Sequence, residues 1–336
     1  MLVLRKTCRR KRGSKRRALN RANKLGYKYD ETKSHSPYDE EPIAPSSFKL
    51  STNENGVLKY IAKLERYLNK EKTVFVRLNN ITEIDQEAVV LLLGIMAEFK
   101  SSGIRFNGNF PKNPKSKRIL TESGFFKQLY PNNIEHSFGS KQAIYTHGQK
   151  VYDEESSCEK LSEAMTCVFG EKRRSQGARR VLLEAMKNTI AHASSSTDKR
   201  NWWLSFNKDS VNKKLVVSML DYGVGIFKSL GIESPDNPGY SWYEKNINLG
   251  FSNKKLLSKI MNGDLNVSRT RESKHGTGLP GMKSALKNSF ISKLVIISND
   301  VFADISNNQY RTIDTSFSGT LIQFEICENC KSFPYE

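Results

Sequence analysis

Apolar residues recur with two different periods along this chain, and the switches between them mark the expected elements. Over residues 57–68 they return every three or four positions, as on an amphipathic helix, while over 86–99 nearly every position is apolar, as in a helix buried on most sides. Residues 73–78 and 104–107 read as short strands, and 114–122 as a helix stopped by Gly124. Strand and helix alternating at this scale predict a small α/β unit that begins near Phe48. Helical spacing returns over 158–169 and 173–193, the latter running into a Ser-rich turn at 194–196. Strands are expected over 202–206 and 215–220, separated by Asp209, Ser210 and Asn212 as in a hairpin, and again over 294–298 and 320–326. With helices over 249–261 and 282–288, this second unit reads as helices on one face of a mixed sheet.

The chain is 336 residues long, enough for two ordinary cores, and a polar stretch near 131–155 separates the two patterned regions. We divide it into a basic arm and linker (1–47), an α/β domain (48–135), a linker (136–157) and a second domain (158–328). The linker at 30–47 carries Pro37, Pro42 and Pro45 and lacks the periodicity of a core element. The net charge of +19 is concentrated in the arm, where residues 1–28 hold twelve Lys or Arg and no acid. Such a block condenses onto polyanions, so nucleic acid is one expected partner of residues 1–28; a solvated tail and an anionic membrane surface are the other readings. No apolar run approaches the roughly 18 to 20 residues of a membrane span, and the amino terminus is too basic for a secretory signal. A cytoplasmic protein with no membrane association is expected. The five cysteines suit a reducing compartment; only Cys327 and Cys330 have metal-like spacing, completed by Cys8 and His35 if the chain ends meet, and otherwise they are two free thiols ending a strand.

Three short constellations carry candidate chemistry. Glu184, Asn188 and His192 recur at intervals of four in one predicted helix and so share a face, where a carboxylate can deprotonate a water and an amide oxygen can ligate Mg²⁺; a solvated helix face gives the same pattern. Asp221, Gly223 and Gly225 follow an apolar strand directly, which places a carboxylate and two conformationally free residues at a strand end; a plain turn reads the same way. Gly276, Thr277, Gly278, Leu279, Pro280 and Gly281 open a helix and aim unpaired backbone N–H groups at phosphate. This is neither a Walker loop nor a dinucleotide fingerprint, since the Gly-Lys-Ser/Thr ending and a strand leading directly into it are both missing.

In order and spacing these three elements resemble the motifs of the ATPase family of gyrase, Hsp90, histidine kinases and MutL, over about half the chain. Glu184 and Asn188 match its Glu-x-x-x-Asn, Asp221, Gly223 and Gly225 its Asp-x-Gly-x-Gly, and Gly276, Gly278 and Gly281 its glycine-rich third motif, while Gly319 and Thr320 match a closing Gly-Thr. Pro280 interrupts the usual order before Gly281. The resemblance implies a two-layer α/β sandwich, the Bergerat fold, that binds ATP and Mg²⁺. Asp221 would read adenine, Asn188 hold the metal, the glycine turn cover the phosphates, and Glu184 polarise water. A mobile lid is implied over 226–275, with Lys254, Lys255, Arg269 and Arg271 in reach of phosphate. Residues 57–126 resemble a degenerate STAS domain, the fold of anti-sigma-factor antagonists, with Gln86 and Glu87 where such proteins present a regulatory serine. That resemblance implies a unit for docking a protein partner or a second copy of the chain; a packing role is the other reading. For the whole molecule the expected function is a slow ATPase or nucleotide-gated switch. The alternatives are a serine kinase of the anti-sigma type and a nucleic-acid-binding regulator. His136 and His147 lack the helical context of an autokinase phosphoacceptor.

Overall fold

A computed structural model of the chain describes residues 37–130, 143–147, 153–192, 202–227, 250–264 and 278–335, with the backbone alone at 143–147 and 189–192. Residues 1–39 form one unit and 40–336 another. The basic arm, Cys8, His35 and His136 lie outside the described residues.

The second unit begins earlier than apolar periodicity suggests. Glu40 bridges Val74 and Ile43 bridges Arg77 in parallel fashion, alongside the strand β2 (Val74–Val76), so the latter half of the expected linker is a paired segment. This pairing runs through backbone groups and needs no apolar alternation. Pro42, which lacks an N–H, still accepts from the Arg77 amide at 2.9 Å. Next to it in the fold lie a two-residue strand, β1 (Ser47–Phe48), paired in parallel with β3 (Glu83–Ile84), and β4 (Phe106–Gly108), paired in parallel with β2.

Two helices lie against these strands. Helix α1 (Leu50–Asn69) kinks at Asn53, and buries Val57, Leu58, Ile61 and Leu64 along one stripe. Helix α2 (Gln86–Ser101) starts at Asp85, whose side chain accepts from the Ala88 amide at 3.0 Å and from the Ser51 amide at 3.1 Å. Both helix starts are thereby fixed to one carboxylate. Residues from Gln86 to Met96 on α2 are buried without a break, because α2 is covered on opposite sides. Two shorter helices, α3 (Pro114–Glu122) and α4 (Phe125–Leu129), close this region.

The largest sheet of the 40–336 unit among the described residues is five-stranded, in the order β5-β7-β8-β10-β9. Its strands are β5 (Ala143–His147), β7 (Trp202–Asp209), β8 (Lys214–Asp221), β9 (Lys293–Asp304) and β10 (Gln309–Cys327), and β6 (Arg173–Arg174) pairs elsewhere with β11 (Phe333–Pro334). Every described pairing in this sheet is antiparallel, in contrast to the mixed sheet expected. The reason is local. β7 and β8, and β9 and β10, are joined by short turns, and a short turn can only reverse the chain.

Both faces of this sheet are apolar and both are covered. Trp203, Leu220, Val295, Ile297 and Leu321 pack with α1 and α2, whereas Trp202, Leu204, Val217, Met219, Ile296, Ile322 and Phe324 pack with helices α5 (Glu154–Ala164), α6 (Thr166–Phe169), α7 (Gln176–His192), α8 (Asn253–Asn262) and α9 (Gly278–Lys287). The coarse α/β class holds, and the 48–135 region lays a further helical layer on the sheet's other face. A single core cluster therefore runs through residues of both expected domains.

Polar groups caught in the α2–sheet layer need partners there. Gln86, buried, donates weakly to Ser123 O at 3.4 Å and to Ser205 Oγ at 3.5 Å. Glu87 is held up at about 7 by burial, with Asp85 and Glu325 adding repulsion and a hydrogen bond from Asn207 acting the other way. Glu325 is itself paired with Lys214 at 2.8 Å. A carboxyl raised in the native state favours folding only when protonated, so its unfavourable contribution grows as pH rises from the ordinary Glu range to about 7 and is constant above. Glu87→Gln keeps the shape and a partner for Asn207. Chemical denaturation should find the variant more stable than the parent by roughly 3–4 kcal/mol at pH 8 and equal to it near pH 4, with the difference opening between those values.

Candidate functional site

The first motif lies on α7, whose first turn is tied by the Ala178 amide donating to Ser175 Oγ at 3.3 Å. Its packing partner is α9. A Cβ on Gly177 would fall 2.2 Å from Phe290 Cγ, one on Gly281 would fall 2.9 Å from the Arg180 guanidinium, and one on Gly278 would lie 3.2 Å from Glu184 Oε2. As α7 ascends from 177 to 184, its neighbours descend from 290 to 278, so the two helices run antiparallel at close range. The first and third motifs therefore meet, with the Glu184 carboxylate beside the opening residue of α9. Gly281 faces Arg180 and serves this packing. Pro280 stands in the first described turn of α9, where a missing N–H leaves no intrahelical bond unmade, and Leu279 is half-buried against the core. Gly276 and Thr277 lie outside the described residues, as does the side chain of His192. Glu184 and Asn188 are half-buried.

The second motif follows β8. Asp221 is buried and accepts from the Gly223 amide at 2.8 Å, a turn closed by its own side chain. It stands opposite Thr320 of β10 in the register, and Gly319, at φ +123°, lets the chains approach so closely that a Cβ there would sit 2.0 Å from the Asp221 carbonyl oxygen. Strand alternation then decides which way each side chain is aimed. Met219 and Val217 belong to the α7 face, so Asp221 shares that face; Ile322 and Ile296 place Thr320 and Ser298 on it as well. Glu184, Asn188, Asp221 and Thr320 are thus gathered on one side of the sheet, as a helix pair and a strand-end cluster that share the core around Leu182, Met186, Phe227 and Met282.

Two residues not foreseen from sequence hold the loop after Asp221. Ser298 Oγ accepts from the Ile226 amide at 2.9 Å, donates to Gly319 O at 3.0 Å, and lies 3.2 Å from Thr320 Oγ1. Asn299, at φ +51°, donates to Val224 O at 2.9 Å and accepts from the Phe227 amide at 3.1 Å. Its amide fills the space where a Cβ on Gly225 would fall, 2.5 Å away. The signal in the sequence is the polar run Ser298, Asn299, Asp300 that breaks an apolar strand.

Tyr222, inside the same motif, turns to the opposite face. Its hydroxyl donates to Leu91 O at 3.0 Å, and its ring meets Trp203 and Phe317 edge-on with centroids 6.1 and 5.6 Å apart. Gly94 makes room for it: a Cβ there would fall 2.4 Å from the ring. Burial pushes the phenol well above its ordinary range. Helix α2 thereby fixes the backbone between Asp221 and Gly223.

The expected lid is only partly a candidate for motion. Helix α8, in its middle, buries Leu256, Leu257, Ile260 and Met261 in the core, which anchors 253–262; Lys255 is exposed and Lys254 half-buried, and Arg269 and Arg271 lie outside the described residues. A cavity of about 820 Å³ between α5 and the start of α7, walled by Arg174, Arg179 and Tyr335, contains none of the predicted site residues. Among the described residues no group of three or more His, Cys, Asp or Glu could hold a metal, and no helix is long and apolar enough to cross a membrane. No protein-family model matches the chain, and no curated protein matches its sequence.

The fit of Tyr222 against α2 is open to direct test. Gly94→Ala should destabilise the fold by about 1–3 kcal/mol, because the added methyl meets both the Tyr222 ring, at 2.4 Å, and Leu220, at 3.0 Å. Tyr222→Phe should lower stability by only about 1 kcal/mol, the net worth of one hydrogen bond. Denaturant midpoints with an unchanged slope would report both.

Proposed function

We propose that residues 158–328 bind Mg·ATP on the α7 face of the five-stranded sheet and that the chain is a nucleotide-gated switch with slow ATPase activity. The observation that carries this reading is the meeting of Glu184 with Gly278 on the same side of the sheet as Asp221 and Thr320. Motif resemblance alone concerns order along the chain. Convergence on one face of one sheet is an independent requirement, and the geometry meets it.

In this reading Asp221, fixed by the Gly223 amide, accepts the exocyclic amine of adenine, and Gly223 allows the base to approach the backbone, while Gly225 makes room for Asn299. The opening turn of α9 offers unpaired N–H groups and the positive end of a helix to the phosphates. Glu184 holds a water and takes its proton as the water's oxygen attacks the terminal phosphorus; the bond from that phosphorus to the β–γ bridging oxygen breaks, and ADP and inorganic phosphate leave. Asn188, one turn further along α7 than Glu184, has the amide oxygen suited to Mg²⁺, an ion that is commonly held by one or two protein ligands plus substrate phosphates and so requires no cage of carboxylates. When bound, the ion neutralises phosphate charge. The burial of α2 against the sheet makes it an internal brace, so a protein partner would have to engage another surface of the 48–135 region.

Titration calorimetry with Mg·ATP and full-length protein should detect binding, and Asp221→Asn should weaken it by a factor of ten or more, in line with loss of a charge-assisted hydrogen bond worth roughly 1.5–3 kcal/mol. Absence of binding to a folded sample overturns the proposal. Hydrolysis is separable from binding: Glu184→Gln should retain nucleotide and release phosphate about 10²-fold or more slowly, the usual contribution of a positioned base. Unchanged phosphate release would remove Glu184 from that role.

A further inference from the structure

The carboxyl end of β10 holds a second centre, independent of the nucleotide reading. We infer that Cys327 and Cys330 are a reversible dithiol–disulfide site, oxidised by low-molecular-weight disulfides such as oxidised glutathione. Cys327 ends β10 and the chain turns at once: the Cys330 amide donates to Cys327 O at 2.9 Å, the Cys327 amide donates to Cys330 Sγ at 3.3 Å, and the two sulfurs stand 3.6 Å apart. A disulfide needs about 2.05 Å between sulfurs, so the pair is one small side-chain movement from bonding. The turn between them, Glu328 and Asn329, is exposed. The other described cysteines are placed differently: Cys167 Sγ is set against Lys214 O at 3.7 Å, and Cys158 lies by Arg179 on α7.

Exposure divides the roles. Cys327 is partly exposed and Cys330 buried, so an external disulfide reaches Cys327 first. The Cys327 thiolate attacks one sulfur of oxidised glutathione, forming a mixed disulfide and expelling one glutathione thiolate. Cys330 then loses its proton and attacks Cys327 Sγ, expelling the second glutathione. Two protein thiols are oxidised and one external disulfide is reduced to two thiols, so electrons and atoms balance. Burial and the neighbouring Cys327 hold the Cys330 thiol up at about 11, which slows the second step, since less of the attacking thiolate is present.

The position gives the bond a structural consequence. Immediately after Cys330, the Lys331 amide donates to Ser289 O at 2.8 Å, Arg173 donates to Ser332 Oγ at 3.3 Å, and β11 pairs with β6 directly ahead of α7. Tyr335 then sits between Lys172 and Arg174, each cation 4.1 Å from its ring. A covalent loop at 327–330 tightens the turn that leads the chain into this clip.

The test is oxidation of the full chain by oxidised glutathione, quenching with an alkylating reagent, and peptide mapping by mass spectrometry. The expected result is a peptide two hydrogens lighter holding Cys327 and Cys330 unalkylated, restored by dithiothreitol, with Cys158 and Cys167 alkylated throughout. Cys330→Ser should stall at a glutathione adduct on Cys327, and Cys327→Ser should accumulate none. Because the decisive map is made on the unmutated protein, misfolding of a variant leaves the test intact. Full alkylation of both cysteines after oxidant, a bond from either to a different cysteine, or a retained zinc ion that blocks the reaction would each overturn the inference.

Discussion

A sheet whose strands are apolar on both faces cannot be left with one face in water, and this constraint organises the molecule. In β7 and β8, Trp203 and Leu220 point one way while Trp202, Leu204, Val217 and Met219 point the other. Leaving the first set uncovered would expose a contiguous apolar patch of the kind soluble proteins avoid. Helices α1 and α2 cover it, and α2 lies between the large sheet on one side and the short parallel strands on the other. That position accounts for its apolar residues on every side, and for the need of Gln86 and Glu87 to find Ser205 and Asn207 within the layer. The amino-terminal region is therefore part of the sheet's stability.

The same alternation shapes the candidate site. Crossing the end of β8, consecutive residues go to opposite layers: Leu220 and Tyr222 to α2, Met219 and Asp221 to α7. One backbone segment is thus gripped from one side and presents its carboxylate to the other. The grip is tight because Gly94 removes a side chain where the ring must lie, and because Ser298 and Asn299 bond the loop that follows. Asp221 is thus flanked by two residues, Leu220 and Tyr222, that pack against α2.

Much of this was legible in the residues. Helical and strand periods located α2, α7, α8 and the β7–β8 hairpin, since burial writes a regular pattern into a sequence. The pairing of 40–44 was not legible, because backbone hydrogen bonds leave no mark on side-chain pattern and prolines suggested a linker. The cover supplied by α1 and α2 was also hidden: apolar alternation on both faces says that cover is needed, without saying which distant segment supplies it. In the site, the order of Glu184, Asn188, Asp221 and the glycines could be read directly. Ser298 and Asn299 could not, since hydrogen bonds between residues some seventy positions apart depend on register, which only the assembled sheet defines. Gly281 illustrates the limit of a motif, because in the fold it makes room for Arg180.

The contact between Glu184 and Gly278 bears on how a phosphate could be accepted at all. A carboxylate beside the start of a helix is favoured by the helix dipole and by unpaired N–H groups, the same features that favour phosphate. Two anions cannot share that position without strong repulsion, since at about 4 Å like charges oppose each other by several kcal/mol in a partly buried setting. Under the proposed function the conflict has two resolutions: the carboxylate moves aside, or a cation stands between it and the phosphates. Asn188, one turn along the same helix, offers a neutral oxygen ligand and adds no further negative charge. An aspartate at that position would bind a cation more strongly when phosphate is absent, and would add to the repulsion when it arrives. In that proposal a neutral amide would tie cation binding to the nucleotide that carries the ion in, so that the empty site would hold no ion of its own.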